Sequence, residues 1–332
     1  MHRITRTAVL LLALTTPTFA DPLQKENIPA DAKWLLHWDL EKYRSTQVGQ
    51  FFERELLSKK LEKPRADLKQ YFSFDLEWEK YTSLTAYGTD FEPKDGTNGV
   101  LIVKTDPATA ETVEKAFTKQ ADYAKSYGGP VEQIVSGPYG IYSINKNAFA
   151  SVQKEGRIVL GKSIAQVKKG IEILQGKRAN LAVSPALSGF PGGESDFFLI
   201  ALAEGFGERI PLPPNAKILQ TTEGLRAVLR EKKDKLSLNL TLKAKSADTC
   251  KQMQQVVQGM IALVSLSQQE NKDLMLLAQS AAVTADDRFV SLGLDYPVKE
   301  AIAKLADAAR KENVKPDSKQ AEISEKKPSS NN

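Results

Sequence analysis

Apolar and polar residues alternate in short segments throughout this chain, and each alternating segment predicts a β-strand. In the first, AKWLLHW with the aspartate after it, one face holds Trp34, Leu36 and Trp38 and the other Leu35, His37 and Asp39. The other predicted strands lie in YTSLTAYG, GVLIVKT, QIVSGPYGIYSI, AFASV, RIVLG, DFFLIALA, KILQTTEG, KLSLNLTLKA, AAVT and RFVSLGL.

Apolar residues spaced three and four positions apart predict five helices between these strands. Pro64 is expected beyond the first helix, while Gly128 and Gly176 end the second and third. The first helix is expected to be capped by Ser45 or Thr46, the second by Asp106 and the third by Ser163. The fourth helix contains Cys250, and the fifth has Pro297 in its first turn.

The order of these elements predicts an α+β protein of mainly antiparallel sheet. Strands joined by short turns pair in antiparallel fashion, and the helices are expected to pack on one face of the sheet. We expect two similar tandem units, each with a leading strand followed by strand, strand, helix, hairpin and helix. The sequence leaves open whether the two units share one sheet.

Three sequence blocks recur in the same order in the two halves, which predicts an internal duplication. TAYG at 85–88 resembles TTEG at 221–224, TAETVEK from Thr109 resembles SADTCKQ from Ser246, and ASVQKEGRIV from Ala150 resembles AAVTADDRFV from Ala281. The offsets are 136, 137 and 131 residues (221 − 85, 246 − 109 and 281 − 150). Residues 81–174 should therefore match 217–305 in strand order and direction.

Shifts in composition divide the chain into five parts. The polar end has alternating charges and no large apolar residue after Ile323, which is typical of disorder. The predicted parts are a signal peptide at 1–20, a first unit at 21–176, a linker rich in Gly, Pro and Ser at 177–195, a second unit at 196–310, and a disordered tail at 311–332.

The first twenty residues have the three parts of a cleavable signal peptide. Arg3 and Arg6 form the positive region, residues 8–14 are an unbroken apolar run, and Thr18-Phe19-Ala20 ends in a small-x-small cleavage site. The apolar run is too short for a membrane span, which needs about 20 residues. We therefore expect an exported protein, periplasmic or extracellular after cleavage near Ala20, with no transmembrane segment in the mature chain.

The charge balance argues against nucleic acid as a partner. The 332 residues include 46 basic and 41 acidic ones, and the predicted cleavage removes two arginines, which changes the net charge from +5 to +3 (44 − 41). The basic residues are interleaved with acidic ones, whereas a nucleic-acid binder concentrates them on one face or stripe.

Histidine and cysteine are too rare for most catalytic or metal sites. Because His2 belongs to the predicted signal peptide, the mature chain keeps only His37, which excludes any site built on two His ligands. The single cysteine, Cys250, cannot form an intramolecular disulfide, and its apolar helix face predicts a buried structural thiol. No catalytic, cofactor-binding or metal-ligating residue is assigned from the sequence, and no cofactor is expected.

Three residue sets are the remaining candidates for a site. His37 and Asp39 share a strand face that can orient an imidazole or hold a cation, although a polar or edge strand face is the simpler interpretation. Aromatic residues are dense in 34–91, and a subset around YFSFDLEW at 71–78 can line a groove for a sugar or peptide. Acidic residues near element ends leave open a two-carboxylate glycosidase; they are Glu77, Glu79, Glu194, Asp196 and Glu204.

The segment IPADAKWLLHWDLEKYRSTQVGQFF, residues 28–52, resembles the start of exported bacterial proteins grouped under a domain of unknown function. The resemblance implies a bacterial exported protein with repeated α+β units, and it supplies no activity and no site residues. It is carried by Pro29, Ala30, Asp31 and Ala32, the apolar strand, Asp39 and Gly49.

The sequence favours an exported non-catalytic protein, an interaction or scaffold module of the bacterial envelope. The alternative is a binding protein for an apolar or sugar ligand that uses the aromatic-rich first unit, and a carboxylate-dependent hydrolase is the third hypothesis. The expected partner is thus an envelope protein or a small ligand. A deep pocket lined by aromatic residues of 71–91 would favour ligand binding, and two facing carboxylates in a cleft would favour a hydrolase.

Overall fold

A computed structural model of the protein describes residues 22–72, 75–91, 99–191, 196–206, 214–267 and 271–314. Within these ranges, eight α-helices and twelve β-strands form an α+β fold, as predicted. The predicted signal peptide, Glu194 and the chain from residue 315 onward lie outside the described residues.

The first half contains seven strands and five helices. The strands are β1 (Trp34–Asp39), β2 (Tyr81–Gly88), β3 (Gly99–Thr105), β4 (Val131–Val135), β5 (Ile141–Ile144), β6 (Ala148–Gln153) and β7 (Arg157–Gly161). The helices are α1 (Leu40–Ser45), α2 (Gln47–Phe51), α3 (Ser58–Phe72), α4 (Pro107–Tyr127) and α5 (Ile164–Leu174). A π-helical stretch, Phe52–Leu57, joins α2 to α3.

The second half contains five strands and three helices in its described part. The strands are β8 (Leu199–Glu204), β9 (Thr222–Lys232), β10 (Lys235–Ala244), β11 (Ala282–Asp286) and β12 (Phe289–Pro297). The helices are α6 (Ala247–Ser267), α7 (Lys272–Ser280) and α8 (Val298–Val314).

All twelve strands pair in one antiparallel sheet, in the order β11-β12-β10-β9-β8-β1-β2-β3-β7-β6-β5-β4. The leading strands of the two predicted units, β1 and β8, are neighbours at the centre, where Trp34 pairs with Ala203 and Trp38 with Leu199. The two units therefore share a continuous sheet, and their boundary runs between two hydrogen-bonded strands.

The strand order that a duplication requires is present in both halves. Outward from the centre, the first half reads β1-β2-β3-β7-β6 and the second reads β8-β9-β10-β12-β11. The first half adds β4 and β5 at its edge, and the second half adds α7 before its hairpin.

The register of the aligned blocks needs correction. Asp106 caps α4 by accepting from the Thr109 N–H at 2.9 Å, and Ser246 caps α6 by accepting from the Thr249 N–H at 3.2 Å. These two caps stand 140 residues apart (246 − 106), so the alignment of TAETVEK with SADTCKQ is three residues out of register. The TAYG match is wrong, because Gly88 ends β2 whereas TTEG spans the start of β9.

Helices lie on both faces of the sheet, and not on one as expected. Ile102 of β3 packs in one core cluster with Ile171 of α5, while the adjacent Val103 packs with Val113 of α4. Since successive strand residues point to opposite faces, α4 and α5 cover opposite faces. Trp38 packs against the clusters of both α4 and α8, which places α8 on the α4 face. The last helices of the two halves, α5 and α8, therefore lie on opposite faces of the sheet and do not follow the expected repeat.

Two predicted helix and strand boundaries are wrong. The helix α3 continues through Pro64, which was expected beyond a helix end. A proline has no backbone N–H to donate within a helix and usually ends or kinks it, yet here the helix continues to Phe72. KILQTTEG is mostly a 3₁₀ turn, Pro214–Thr221, and the strand begins at Thr222.

The segment predicted as a linker is packed in its described part, residues 177–191. Leu181 and Leu187 are each 2% exposed and belong to the central core cluster, and Asn180 forms a β-bridge with Pro29. The predicted tail also begins too early, because α8 continues to Val314. Among the helices that the structure describes, none combines the length and apolarity needed to cross a bilayer.

Candidate functional site

An apolar pocket of about 450 Å³ lies between α3, α4 and the sheet face formed by β2, β3 and β7. Its volume is within the range of about 300–1,000 Å³ that small-molecule sites occupy. The lining residues are Leu57, Leu61, Leu68, Leu76, Trp78, Tyr81, Leu84, Val103, Val113, Ala116, Phe117, Val131, Ile144, Ile158 and Leu160.

The floor of the pocket follows from strand register. Leu84 of β2 is the cross-strand partner of Val103 in β3, and Val103 is the partner of Ile158 in β7. Directly paired residues project to the same face of a sheet, so these three side chains form one apolar row. The row faces α4, because all three side chains belong to the same core cluster as Val113 of that helix.

One wall of the pocket is the inner face of α4. Val113, Ala116 and Phe117 have the spacing of three and four that puts side chains on one helix face. Ala116, which has the smallest of these three side chains, lines the pocket together with its two larger neighbours.

The opposite wall is α3 with the end of the π-helical stretch. Leu57, Leu61 and Leu68 are spaced by four and seven residues, which aligns them along one side. The other sides of α3 are charged and open to water, as at Lys59 and Lys69, whose side chains are 69% and 68% exposed. The helix therefore shields the pocket from solvent on one side with three leucines.

Trp78 and Tyr81 line one part of the pocket, and a pair of charged residues fixes them. The Trp78 indole N–H donates to Glu53 Oε1 at 3.0 Å, and Arg44 donates to the Trp78 and Tyr81 carbonyl oxygens at 3.4 and 2.9 Å. Arg44 Nε also lies 3.9 Å from Glu53 Oε1. Burial raises the pKa of Tyr81 to about 12, so its ring is neutral at physiological pH.

The chemistry of this lining restricts what the pocket can hold. Among the lining side chains that the structure describes, none carries a charge, and the indole N–H of Trp78 already donates to Glu53. A sugar needs several convergent donors and acceptors, whereas the described part of this surface offers a single phenol, that of Tyr81. A hydrocarbon chain needs none, since burial of apolar surface drives its binding.

His37 and Asp39 share a strand face as predicted, but they are not at an edge of the sheet. Both are 2% exposed, on the central strand β1. The Nδ1 atom of His37 lies 2.8 Å from Thr85 Oγ1, and Asp39 caps α1 by accepting from the Lys42 N–H at 2.8 Å. The edge interpretation is therefore wrong, and Asp39 has a structural role at the start of a helix.

The acidic candidates that the structure describes do not line the pocket. Glu77 and Glu79 are exposed at the turn before β2, whereas Asp196 and Glu204 lie at opposite ends of β8. The Lys42 ammonium lies 3.0 Å from Asp196 Oδ1, and their hydrogen bond keeps the pKa of that carboxyl below its usual value. Lys243 lies 3.6 Å from Glu204.

Sequence reasoning located the aromatic part of the site and missed its aliphatic part. Of the YFSFDLEW segment, Leu76 and Trp78 line the pocket, while the side chains of residues 71–74 lie outside the described part. Leu68 was missed because the helix was expected to end before Pro64, whereas Leu57 and Leu61 precede that proline and were not assigned to a site. Their spacing of four and seven residues was the available signal.

Cys250 is buried, at 1% exposure, within the cluster formed by α6 and the second half of the sheet, as the sequence predicted. Burial raises the pKa of its thiol. Within the described ranges, no group of three or more His, Cys, Asp and Glu side chains is placed to hold a metal ion.

No protein-family model matches this chain, and no curated protein matches it. Among solved structures, it is similar to TP0453 in crystal form III, with a TM-score of 0.46 and 12% identity over 87% of this chain and 99% of that chain. Form I gives a TM-score of 0.46 and 11% identity over 87% and 98% of the two chains. Form IV gives a TM-score of 0.45 and 9% identity over 86% of this chain and 97% of that chain.

Proposed function

We propose that this protein binds an apolar ligand, of the acyl-chain class, in the pocket between α3, α4 and the sheet. The observation that carries the proposal is the uniform chemistry of the lining, because all fifteen lining residues in the described part of the chain have apolar or aromatic side chains, around a volume of about 450 Å³. An empty apolar cavity forfeits dispersion contacts along its wall, and a hydrocarbon chain restores them without leaving a polar group unpaired.

The sequence left open a binding protein for an apolar or a sugar ligand, and the proposal restricts the ligand to a hydrocarbon. The single phenol in the lining favours a hydrocarbon over a sugar. A carboxylate-dependent hydrolase has no support in this pocket, because none of the lining residues within the described ranges is acidic. The protein would therefore hold its ligand without altering it, and residues 1–20 would direct it outside the cytoplasm.

The substitution Ala116→Phe tests the proposal, because it fills the pocket from the α4 wall. We expect the affinity for N-phenylnaphthylamine, a neutral apolar dye whose fluorescence rises on binding, to fall at least about tenfold. Palmitate should displace the dye from the unaltered protein.

The matched control is Thr112→Phe, which adds a phenyl ring to the exposed side of the same helix. Its affinity for the dye should equal that of the unaltered protein. If both variants bind the dye with equal affinity, the dye binds elsewhere on the protein and the proposal is wrong.

The interaction or scaffold module predicted from the sequence is a second candidate. It is favoured by α6, where Leu263 and Leu266 are 58% and 71% exposed and no charged residue occurs from Gln252 to Ser267. A photocrosslinker at position 263 should capture one stoichiometric envelope partner in cells, with the exposed position 258 as control. Equal labelling from both positions would argue against a specific surface.

A further inference from the structure

We propose that the ligand of this pocket carries a negatively charged headgroup and that Arg65 of α3 binds it. The inference rests on the proposed function and adds the chemical class of the ligand, an anionic single-chain amphiphile. The hydrocarbon chain would occupy the pocket, and the headgroup would stay at its solvent boundary beside α3.

The position of Arg65 on the helix supports this assignment. Arg65 follows Leu61 by four residues and precedes Leu68 by three, so it lies on the side of α3 that carries the pocket leucines. Its side chain is half-buried, as expected for a group at a boundary between an apolar pocket and water.

The hydrogen bonding of Arg65 is incomplete. Its Nε atom is buried, and no hydrogen-bond acceptor for it exists in the part of the chain that the structure describes. A buried donor without an acceptor costs free energy, and the cost is larger for a charged group. A carboxylate or phosphate supplies the missing acceptor, since both match the planar guanidinium with two parallel hydrogen bonds.

Three cations near the pocket already have partners, which distinguishes them from the Nε atom of Arg65. Arg44 donates to the Trp78 and Tyr81 carbonyl oxygens beside the pocket. Lys59 lies 3.4 Å from Glu55, and Lys69 lies 2.9 Å from Asp75.

The experiment measures displacement of N-phenylnaphthylamine by palmitate, hexadecyl phosphate and hexadecanol, each below its aggregation limit. In the unaltered protein, at least one anionic probe should bind more tightly than hexadecanol. Arg65→Gln should weaken binding of the anionic probes about tenfold and leave hexadecanol unchanged, as expected for one charge-assisted pair near water. Arg65→Lys should keep part of the preference. The relative affinity of palmitate and hexadecyl phosphate tells whether the natural headgroup is a carboxylate or a phosphate.

The control is Arg54→Gln, which removes the same charge from a side chain that is 74% exposed and lies beside Glu55. It should bind all three probes like the unaltered protein. Equal affinities for the three probes, with no effect of Arg65→Gln, would overturn the headgroup inference and leave the proposed function intact. An equal loss of affinity for all three probes in Arg65→Gln would show that Arg65 only forms part of the pocket wall, and this result would also overturn the headgroup inference. Failure of every probe to bind the unaltered protein would instead contradict the proposed function.

Discussion

Gly170 and Gly259 both lie inside α-helices, yet their surroundings differ completely. A methyl group on Gly170 of α5 would stand 2.7 Å from Val159 Cγ1 and 3.3 Å from Val100 Cγ1, whereas one on Gly259 of α6 would meet nothing within 4 Å. Valine side chains are stiff and here belong to the central core, so they cannot move aside easily. The close approach of α5 to the sheet therefore depends on the absence of a side chain at position 170.

These two glycines give a matched pair of substitutions. Gly170→Ala should lower the free energy of unfolding by about 1–3 kcal/mol, the usual cost of overpacking a core. Gly259→Ala should raise it by up to about 1 kcal/mol, because alanine has the higher helix propensity and no clash opposes it. Urea denaturation of both variants checks the prediction, and equal effects would show that α5 is not packed as closely as described.

At the scale of elements, the starts of α4 and α5 were predictable because capping is a local property. Asp106 begins α4 by accepting from the backbone N–H of Thr109 and, at 2.7 Å, from its hydroxyl. Ser163 and Gln166 form a complete capping box at the start of α5. Both caps involve residues only three positions apart, so the sequence already contained the partners.

The cap of α4 predicts how stability depends on pH. The hydrogen bonds from Thr109 lower the pKa of Asp106, so its stabilisation is complete above the unfolded carboxyl pKa of about 3.9 and is lost as pH falls through the lower folded value. Asp106→Ala should cost about 1 kcal/mol at neutral pH, whereas Asp106→Asn should cost less because asparagine is an equivalent cap. Urea denaturation across the acid range tests this. The difference between the unaltered protein and Asp106→Asn should shrink below about pH 3.9, and a constant difference would contradict the charge effect.

Sequence reasoning misplaced the elements in which one residue contradicts the pattern of its neighbours. In β9, Arg226 occupies a position that is only 7% exposed and flanks the buried Val228, so the alternation of apolar residues on the buried face is interrupted. In α3, Pro64 gave a stop signal that the helix overrides. Because Leu68 lies beyond Pro64, its place in the aliphatic wall of the pocket was not predictable until the helix was known to continue.

At the scale of the whole molecule, the pairing of β1 with β8 could not be read from local patterns. Each leading strand has the composition of a buried strand, and neither sequence indicates which strand it pairs with. The two strands start more than 160 residues apart in the chain (199 − 34). The pairing leaves one central core: Leu35 and Tyr87 of the first half share a cluster with Phe197, Ile200 and Val228 of the second. The strand order that the two halves share is therefore built around one apolar core.

A single core shared by both halves predicts a single cooperative unfolding transition. Loss of either half would uncover the hydrogen-bonding edge of β1 or β8 together with their shared apolar cluster, so neither half should persist when the other unfolds. In scanning calorimetry the calorimetric enthalpy should equal the van't Hoff enthalpy, a ratio of about 1, as for a two-state protein. The same ratio is expected for Val228→Ala, which should lower the midpoint of the whole transition because the cavity weakens a core common to both halves. A ratio near 2, or a variant that shifts only part of the transition, would show that the halves unfold independently despite their common sheet.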